Sequence, residues 1–380
     1  MTEHIETVVI GGGQAGLAVG HHLAERGRRF AILDAGQRTG DSWRRHWDSL
    51  RLYSPARYDG LPGMPFPAPP WSYPTKDEMA DYLAAYASRF DLPVRTGVRV
   101  NSVRRTGARY LVECGGGDTI EADNVVVTTG TFGPTPRLPE FATDLDPGIV
   151  QLHSSEYRNP SQLRPGGVLV VGASHSGADI AYEAARSHRT VLCGRDTGQI
   201  PFRIDSRVAR RVFPLLWFAW TRVLTLDTPM GRKMRPHARN HGAPLLRYRR
   251  AELAAAGVER VTARVSGVRE GRPVLDDGRT RDVTNVVWCT GFRQDFSWIR
   301  IPVTGEDGWP IEHRGVVTTS PGLYFSGLSF QHSFASMLVG GAGRDAGYVA
   351  DHIAHRATAQ APALTGRGTP GGQGMARHHL

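Results

Sequence analysis

Two glycine-rich loops, each set between a short apolar run and a helical pattern, and two later strands that both end in Thr-Gly predict an α/β chain. The expected architecture is a pair of Rossmann-like dinucleotide-binding domains. Residues 1–160 and 290–356 form a split first domain, and residues 161–289, with the second loop, are inserted into it. A chain of 380 residues is long enough for two such cores.

The first unit, residues 1–35, opens with the apolar run Thr7–Ile10 and continues into Gly11-x-Gly13-x-x-Gly16. The glycines allow a tight turn and let the backbone approach a pyrophosphate, whose charge rests on a helix N-terminus formed here by Gln14 and Ala15. Eighteen residues after Gly16 the second strand, AILD, ends on Asp34. A carboxylate there accepts hydrogen bonds from ribose hydroxyls and repels a 2′-phosphate. The aromatic stretch 36–75 that follows is too long for an ordinary connection and is expected to be a binding loop. Lys76–Phe90 has helical periodicity, with Met79, Tyr82, Leu83 and Tyr86 on one face. Short strands follow at Val94–Arg104 and Tyr110–Cys114, then a buried strand, Asn124–Val127, running into Thr128-Thr129-Gly130.

The second unit repeats the pattern. Val168–Val171 leads into Gly172-x-Ser174-x-x-Gly177, with Ser176 beside the last glycine. At the same eighteen-residue offset stands Arg195, whose guanidinium can grip a 2′-phosphate as a bidentate fork. The opposite charges at matched positions point to FAD in the first unit and NADPH in the second. Strands around Val261–Val268 precede a buried run, Val286–Trp288, which enters Cys289-Thr290-Gly291. Gly322–Gly327 reads as a strand and about Ser333 to His355 as a closing helix. The N-terminal amides of that helix, with Gln331 or His332 beside them, can stabilise negative charge at a reduced flavin. From Ala361 the Gly- and Pro-rich tail, 361–380, is expected to be disordered.

Composition narrows the function. The net charge of +10 comes from scattered arginines, which fits either an ordinary solvated surface or attraction of anionic ligands. There is no basic patch interleaved with aromatics, so nucleic acid is not an expected partner. The three cysteines, Cys114, Cys193 and Cys289, form no CxxC, which predicts a reduced, cytoplasmic chain without the redox-active pair of a disulfide reductase. No metal-ligand spacing and no Gly-x-Ser-x-Gly elbow is present, and the early strand predicts no secretory signal. The longest apolar stretch, Val212–Thr221 within 212–226, contains Pro214 and is too short for an integral membrane span. It is read as a lid, a homodimer contact or a membrane-surface patch, against the plain reading of a buried helix.

Three further segments carry a resemblance: Gly40-Asp41-Ser42-Trp43, Leu61-Pro62-Gly63-Met64-Pro65, and His153-x-x-x-Tyr157 ahead of the second loop. With the paired loops, they make the chain, up to its tail, resemble the class B flavin-dependent monooxygenases of the flavin-containing type. The resemblance implies an enzyme that reduces FAD with NADPH and traps O2 as a flavin C4a-hydroperoxide. Such an enzyme oxygenates a small organic substrate at nitrogen, sulfur or a carbonyl. It makes Trp43, His153 and Gln331 candidate catalytic residues. Gly11, Gly13, Gln14, Ala15, Gly16, Asp34, Trp43 and Gly130 would hold FAD, together with Gly291 and Gln331. Gly172, Ser174, Ser176, Gly177 and Arg195 would hold NADPH, with Arg203 a further candidate at the 2′-phosphate. Each has a plain alternative: Trp43 and Trp47 as loop packing, His153 as a linker histidine bonded to backbone, Arg203 on the surface, Gln331 and His332 as helix caps. The chain departs from the family pattern in three places. Phe141 and Gly148 are shifted relative to His153, Ser174 replaces the middle glycine of the second loop, and Leu52-Tyr53-Ser54-Pro55 lacks the family's active-site Asn. Two other functions stay open on these residues: an NADPH-dependent flavin oxidoreductase without oxygen insertion, and a non-enzymatic redox-responsive flavoprotein.

Overall fold

The computed structural model describes residues 2–131 and 135–360, so the tail expected to be disordered lies outside the described residues. The first sheet is built on β1 (Glu3–Ile10), whose last residues are fully buried. Its parallel neighbours are β2 (Phe30–Leu33) on one side and β6 (Thr119–Val127) on the other, with β3 (Val94–Arg95) beyond β2. Helix α1 (Gln14–Glu25) crosses from β1 to β2. The nine-residue β6 pairs with two strands along its other edge. Its first half takes β5 (Arg109–Cys114), which pairs with β4 (Val100–Thr106) in an antiparallel meander, and its last three residues take β14 (Leu323–Phe325). The expected strand Val94–Arg104 is thus two strands on opposite edges of one sheet, separated by a turn through Gly97 at φ +73°.

The second sheet repeats this centre. β8 (Gly167–Val171) lies between β9 (Arg189–Cys193) and β13 (Asn285–Trp288), all parallel, with β10 (Glu259–Val261) and β7 (Val150–His153) at the edges. Although 150–153 precedes the second loop, β7 joins the second sheet, because Val150–His153 pairs in register with Asn285–Trp288. Helix α4 (His175–Ala184) crosses from β8 to β9, and a hairpin of β11 (Val265–Arg269) and β12 (Arg272–Leu275) stands apart. In both sheets the glycine loop leaves the carboxyl end of a strand whose neighbours run to either side, which is where α/β sheets form ligand crevices.

The segment 36–75 contains only α2 (Asp41–Arg44) and a short 3-10 turn, Ala56–Tyr58, and α3 (Lys76–Arg89) follows, capped by Thr75 and Glu78. Met79, Tyr82, Leu83 and Tyr86 are buried on one face of α3, as the periodicity predicts. Tyr82 OH donates to the Met64 carbonyl and accepts from Leu61 N, each at 2.7 Å, while Tyr86 OH donates to the Pro62 carbonyl at 2.7 Å. The LPGMP segment is therefore fastened to α3. The second unit adds α5 (Arg207–Phe218), α6 (Pro229–Asn240) and α7 (Arg250–Ala255).

The closing helix, expected from about Ser333, is α8 (Ala342–Gln360). Two short turns, Phe334–Met337 and Val339–Gly341, precede it. Ser336 Oγ accepts from the amides of His332 and Ser333, closing the first turn, and Leu338 is extended at ψ 153°. Gly340 and Gly341, poor helix formers, then delay propagation to Ala342.

Candidate functional site

The two loops have one backbone shape. Gly11 and Gly172 take φ +113° and +111°, where a side chain is strained. A Cβ on Gly11 would lie 2.8 Å from the Thr128 carbonyl oxygen, and one on Gly172 would lie 2.2 Å from that of Cys289. The third glycines pack equally hard, a Cβ on Gly16 meeting Gly11 O at 1.9 Å and one on Gly177 meeting Gly172 O at 1.7 Å. Each loop thus seats on the Thr-Gly end of its neighbouring strand, and Gly130 and Gly291 on those ends share φ +78°. Around Gly13 the picture is different. A Cβ there would meet no atom within 4 Å, so the middle of the first loop faces an open cradle.

The side chains that complete the loops differ. Asp34 accepts from Gly12 N at 2.7 Å and from Gly36 N at 2.6 Å, which orients its carboxylate beside the first loop and leaves lone pairs for hydroxyl donors. Arg195 is exposed and engages no carboxylate among the described residues. Ser174 Oγ donates to the Ala243 carbonyl at 2.8 Å, so its hydroxymethyl group is turned to the 241–243 segment instead of capping α4. The residues present fit both groups: an open glycine cradle with a hydroxyl-accepting carboxylate for FAD, and a helix N-terminus with an unengaged guanidinium for a phosphorylated dinucleotide.

The residue after each middle position grips the same irregular segment. Trp43 Nε1 donates to Gln14 Oε1 at 3.3 Å. In the second loop the ring of His175 lies 4.6 Å from that of Tyr53. Tyr53 OH donates to Asp179 Oδ2 at 3.0 Å, Arg247 meets the same oxygen at 3.1 Å, and Arg247 also donates to the Arg51 carbonyl at 2.6 Å. Residues 43–53 thus form a strap clasped at both glycine loops. Burial pushes the Asp179 carboxyl up to about 6 despite Arg247, and holds His175 near 4, so the imidazole is neutral at pH 7. His175 Nε2 is buried without a hydrogen-bond partner among the described residues. Beyond the strap, Asp59 is fully buried and accepts from Ser54 Oγ at 2.5 Å, while its Oδ2 has no partner among the described residues. Burial raises its pKa to about 8, so it is a protonated carboxylic acid at neutral pH.

The other candidates are placed as follows. Trp47 is buried in the second unit's core, a packing role. His153 is buried with both ring nitrogens used. Nδ1 accepts from Ser155 N at 3.2 Å, which leaves Nε2–H to donate to the Gly291 carbonyl at 3.0 Å. It is a neutral linker histidine tying β7 to the second Thr-Gly end. Gln331 is fully buried, donating to the Phe325 carbonyl at 2.8 Å and accepting from Leu328 N at 3.2 Å, so its amide shapes the turn. His332 is buried beside it, 3.7 Å from Asp227. Arg203 pairs with Asp205 and Glu252 on the surface. Tyr53, His175, Asp179, Arg247 and Asp59 were not among the sequence candidates. A carboxylate at 179 within the apolar run of α4 is a signal that finds one of them.

Residues 8–216 match the family model described as pyridine nucleotide-disulphide oxidoreductase. An "uncharacterized oxidoreductase CzcO-like" protein of Geobacillus kaustophilus is 37% identical over 355 residues, 93% of this chain and 99% of the relative. The CzcO oxidoreductase of Bacillus subtilis is 34% identical over 346 residues, 90% and 97% of the two chains. Among solved structures, the flavin-containing monooxygenase of Stenotrophomonas maltophilia superposes with a TM-score of 0.74 at 26% identity, covering 94% of this chain and all of that one.

Proposed function

The chain belongs to the pyridine nucleotide-disulphide oxidoreductase family and is a class B flavin-dependent monooxygenase using FAD and NADPH, and from that premise we propose how it works and on what. FAD is held by the first loop, Asp34 and Gly130. NADPH is held by the second loop, with Arg195 on its 2′-phosphate and Ser176 at the helix N-terminus. The substrate is a small organic molecule with an oxidisable nitrogen, sulfur or carbonyl group. The bound flavin, once reduced by NADPH, supplies the chemistry by taking up O2 as a C4a-hydroperoxide.

The observation that carries this reading is the strap clasped by Gln14 at one loop and by His175 at the other. It joins the two glycine loops through one aromatic segment, which supports passing a hydride and then shielding an oxygen adduct. Tyr53, Asp179 and Arg247 keep water from the seam by satisfying one another's polar atoms across it. Asp59, protonated and bonded to Ser54, is the proton donor on the strap side, in the region where the family's Asn is missing.

The test is rapid reduction by NADPH followed by mixing with O2. A transient adduct spectrum should precede oxidised flavin, and isotopically labelled oxygen should enter a product from a panel of amines, sulfides and ketones. Direct return to oxidised flavin, with peroxide released in proportion to NADPH across that panel and at every pH, would assign the chain to plain flavin oxidoreduction. The adduct should shorten in lifetime in Trp43→Ala and decay with altered pH dependence in Asp59→Asn.

A further inference from the structure

Helix α5 has two apolar faces. The inner one buries Ala209 and Phe213 and sets the Phe213 and Trp217 rings 4.7 and 5.0 Å from Tyr58, beside the strap. The outer face is apolar as well. Val208 is 53% exposed, Leu215 71% and Phe218 60%, and the spacing puts them in one stripe with Arg211 and Arg222. Met230, at the start of α6, is 59% exposed. These are four of the six large hydrophobic residues exposed among the described residues, and they fall within 23 positions.

The surrounding charge is one-sided. From Arg207 to Arg239 there are eight arginines and lysines and a single carboxylate, Asp227. Arg235 and Arg239 turn inward to the buried Glu312. Arg211, Arg222 and Lys233 are exposed and form no ion pair among the described residues, while Arg210, also exposed, faces Asp205. Apolar side chains projecting from a helix flanked by unpaired cations match an interfacial layer with apolar interior and anionic surface. A second copy of the chain is a poor occupant, because a two-fold contact through this face would set arginine against arginine. No helix of the described residues is long and apolar enough to cross a membrane, so the attachment is to the surface.

We propose that the outer face of α5 and the start of α6 form a docking surface for an anionic lipid bilayer, with Leu215 and Phe218 entering the acyl boundary and the flanking arginines meeting the phosphates. The surface lies one layer of side chains from Tyr58.

The test is co-sedimentation of the flavin-loaded protein with phosphatidylglycerol–phosphatidylcholine vesicles against phosphatidylcholine vesicles alone. The protein should pellet with the first and stay soluble with the second. Leu215→Asp with Phe218→Asp should weaken partitioning at least about tenfold, and Arg210→Glu with Arg211→Glu by a similar factor at low salt. Flavin absorbance and melting temperature should be unchanged in both pairs. The proposal is overturned by wild-type protein that stays in solution, or by pelleting that survives the aspartates and vanishes with salt, as expected of any polycation. It is overturned equally by light scattering that shows a dimer lost in the aspartate pair without vesicle binding, or by polyglutamate capture that matches the vesicles, which would assign the face to an acidic protein.

Discussion

The two glycine loops are alike in backbone and unlike in the side chains that complete them. Gly11 and Gly172 differ by two degrees in φ, and Gly16 and Gly177 are each pressed onto the carbonyl of their own first glycine. The middle residue is an open glycine in one and a serine tied to Ala243 in the other. The strand-end residue is a carboxylate held by two amides in one and, in the other, a guanidinium with no ion pair among the described residues. The shape of such a loop makes a phosphate site, and a few side chains decide which phosphate.

The largest effect should come from filling two loop glycines whose surroundings are opposite. Gly13 has φ −79° and a Cβ built on it would meet nothing within 4 Å among the described residues, so Gly13→Val should fold but purify without flavin colour and without NADPH oxidation. Gly177→Val, with Gly172 O in its way at 1.7 Å, should cost more than about 3 kcal/mol in denaturant titration, above the usual range for overpacking. A yellow Gly13→Val protein would remove FAD from that cradle. Next is Arg195→Ala. Loss of one charge-assisted phosphate contact, about 1.5–3 kcal/mol, should lower the ratio of kcat/KM for NADPH over NADH about ten- to hundredfold with FAD content unchanged. A wild type that already prefers NADH would break the contrast.

His175→Gln makes the second loop copy Gln14 of the first. Burial lowers the His175 pKa from 6.5 to about 4, so between those values the unfolded chain binds a proton that the folded chain refuses. Its contribution is complete above about 6.5 and is lost as pH falls toward about 4. Across that window the wild type should lose up to about 1.4 kcal/mol per pH unit relative to the variant. Urea titrations at pH 7 and 5 measure it, and equal slopes would mean His175 is protonated in the folded chain. His46, also held near 4 by burial, keeps part of the acid sensitivity in both proteins. The smallest effect belongs to Ser174→Gly. With Oγ already turned to Ala243, KM for NADPH should move less than about threefold and stability by about 1 kcal/mol. A tenfold tighter NADPH would show that the hydroxymethyl group obstructs the pyrophosphate.

What was legible in the residues was the part that is local. The apolar runs and glycine spacings gave both strand–turn–helix units, and the Asp34–Arg195 contrast follows from counting. Element edges were read less well where glycine and serine turns compete with helix, as before Ala342, or where a turn splits an alternating pattern, as at Gly97. The strap was visible as a loop too long to be idle, yet its anchors were not. Tyr53 and Asp179 are 126 residues apart, and nothing local to either says they meet. Asp59 gave no signal, because burial by distant segments, not its neighbours, makes it an acid at neutral pH.

A strap clasped at both loops also has a thermodynamic meaning. If filling one loop tightens Gln14 on Trp43, the same tightening is felt at Tyr53 and His175, and the two nucleotides become heterotropic effectors of each other. Linkage then demands reciprocity: the factor by which bound flavin changes the dissociation constant of the pyridine nucleotide is the factor by which the pyridine nucleotide changes that of the flavin. Cutting the strap at Trp43 or at Tyr53 should bring that factor to one from either side.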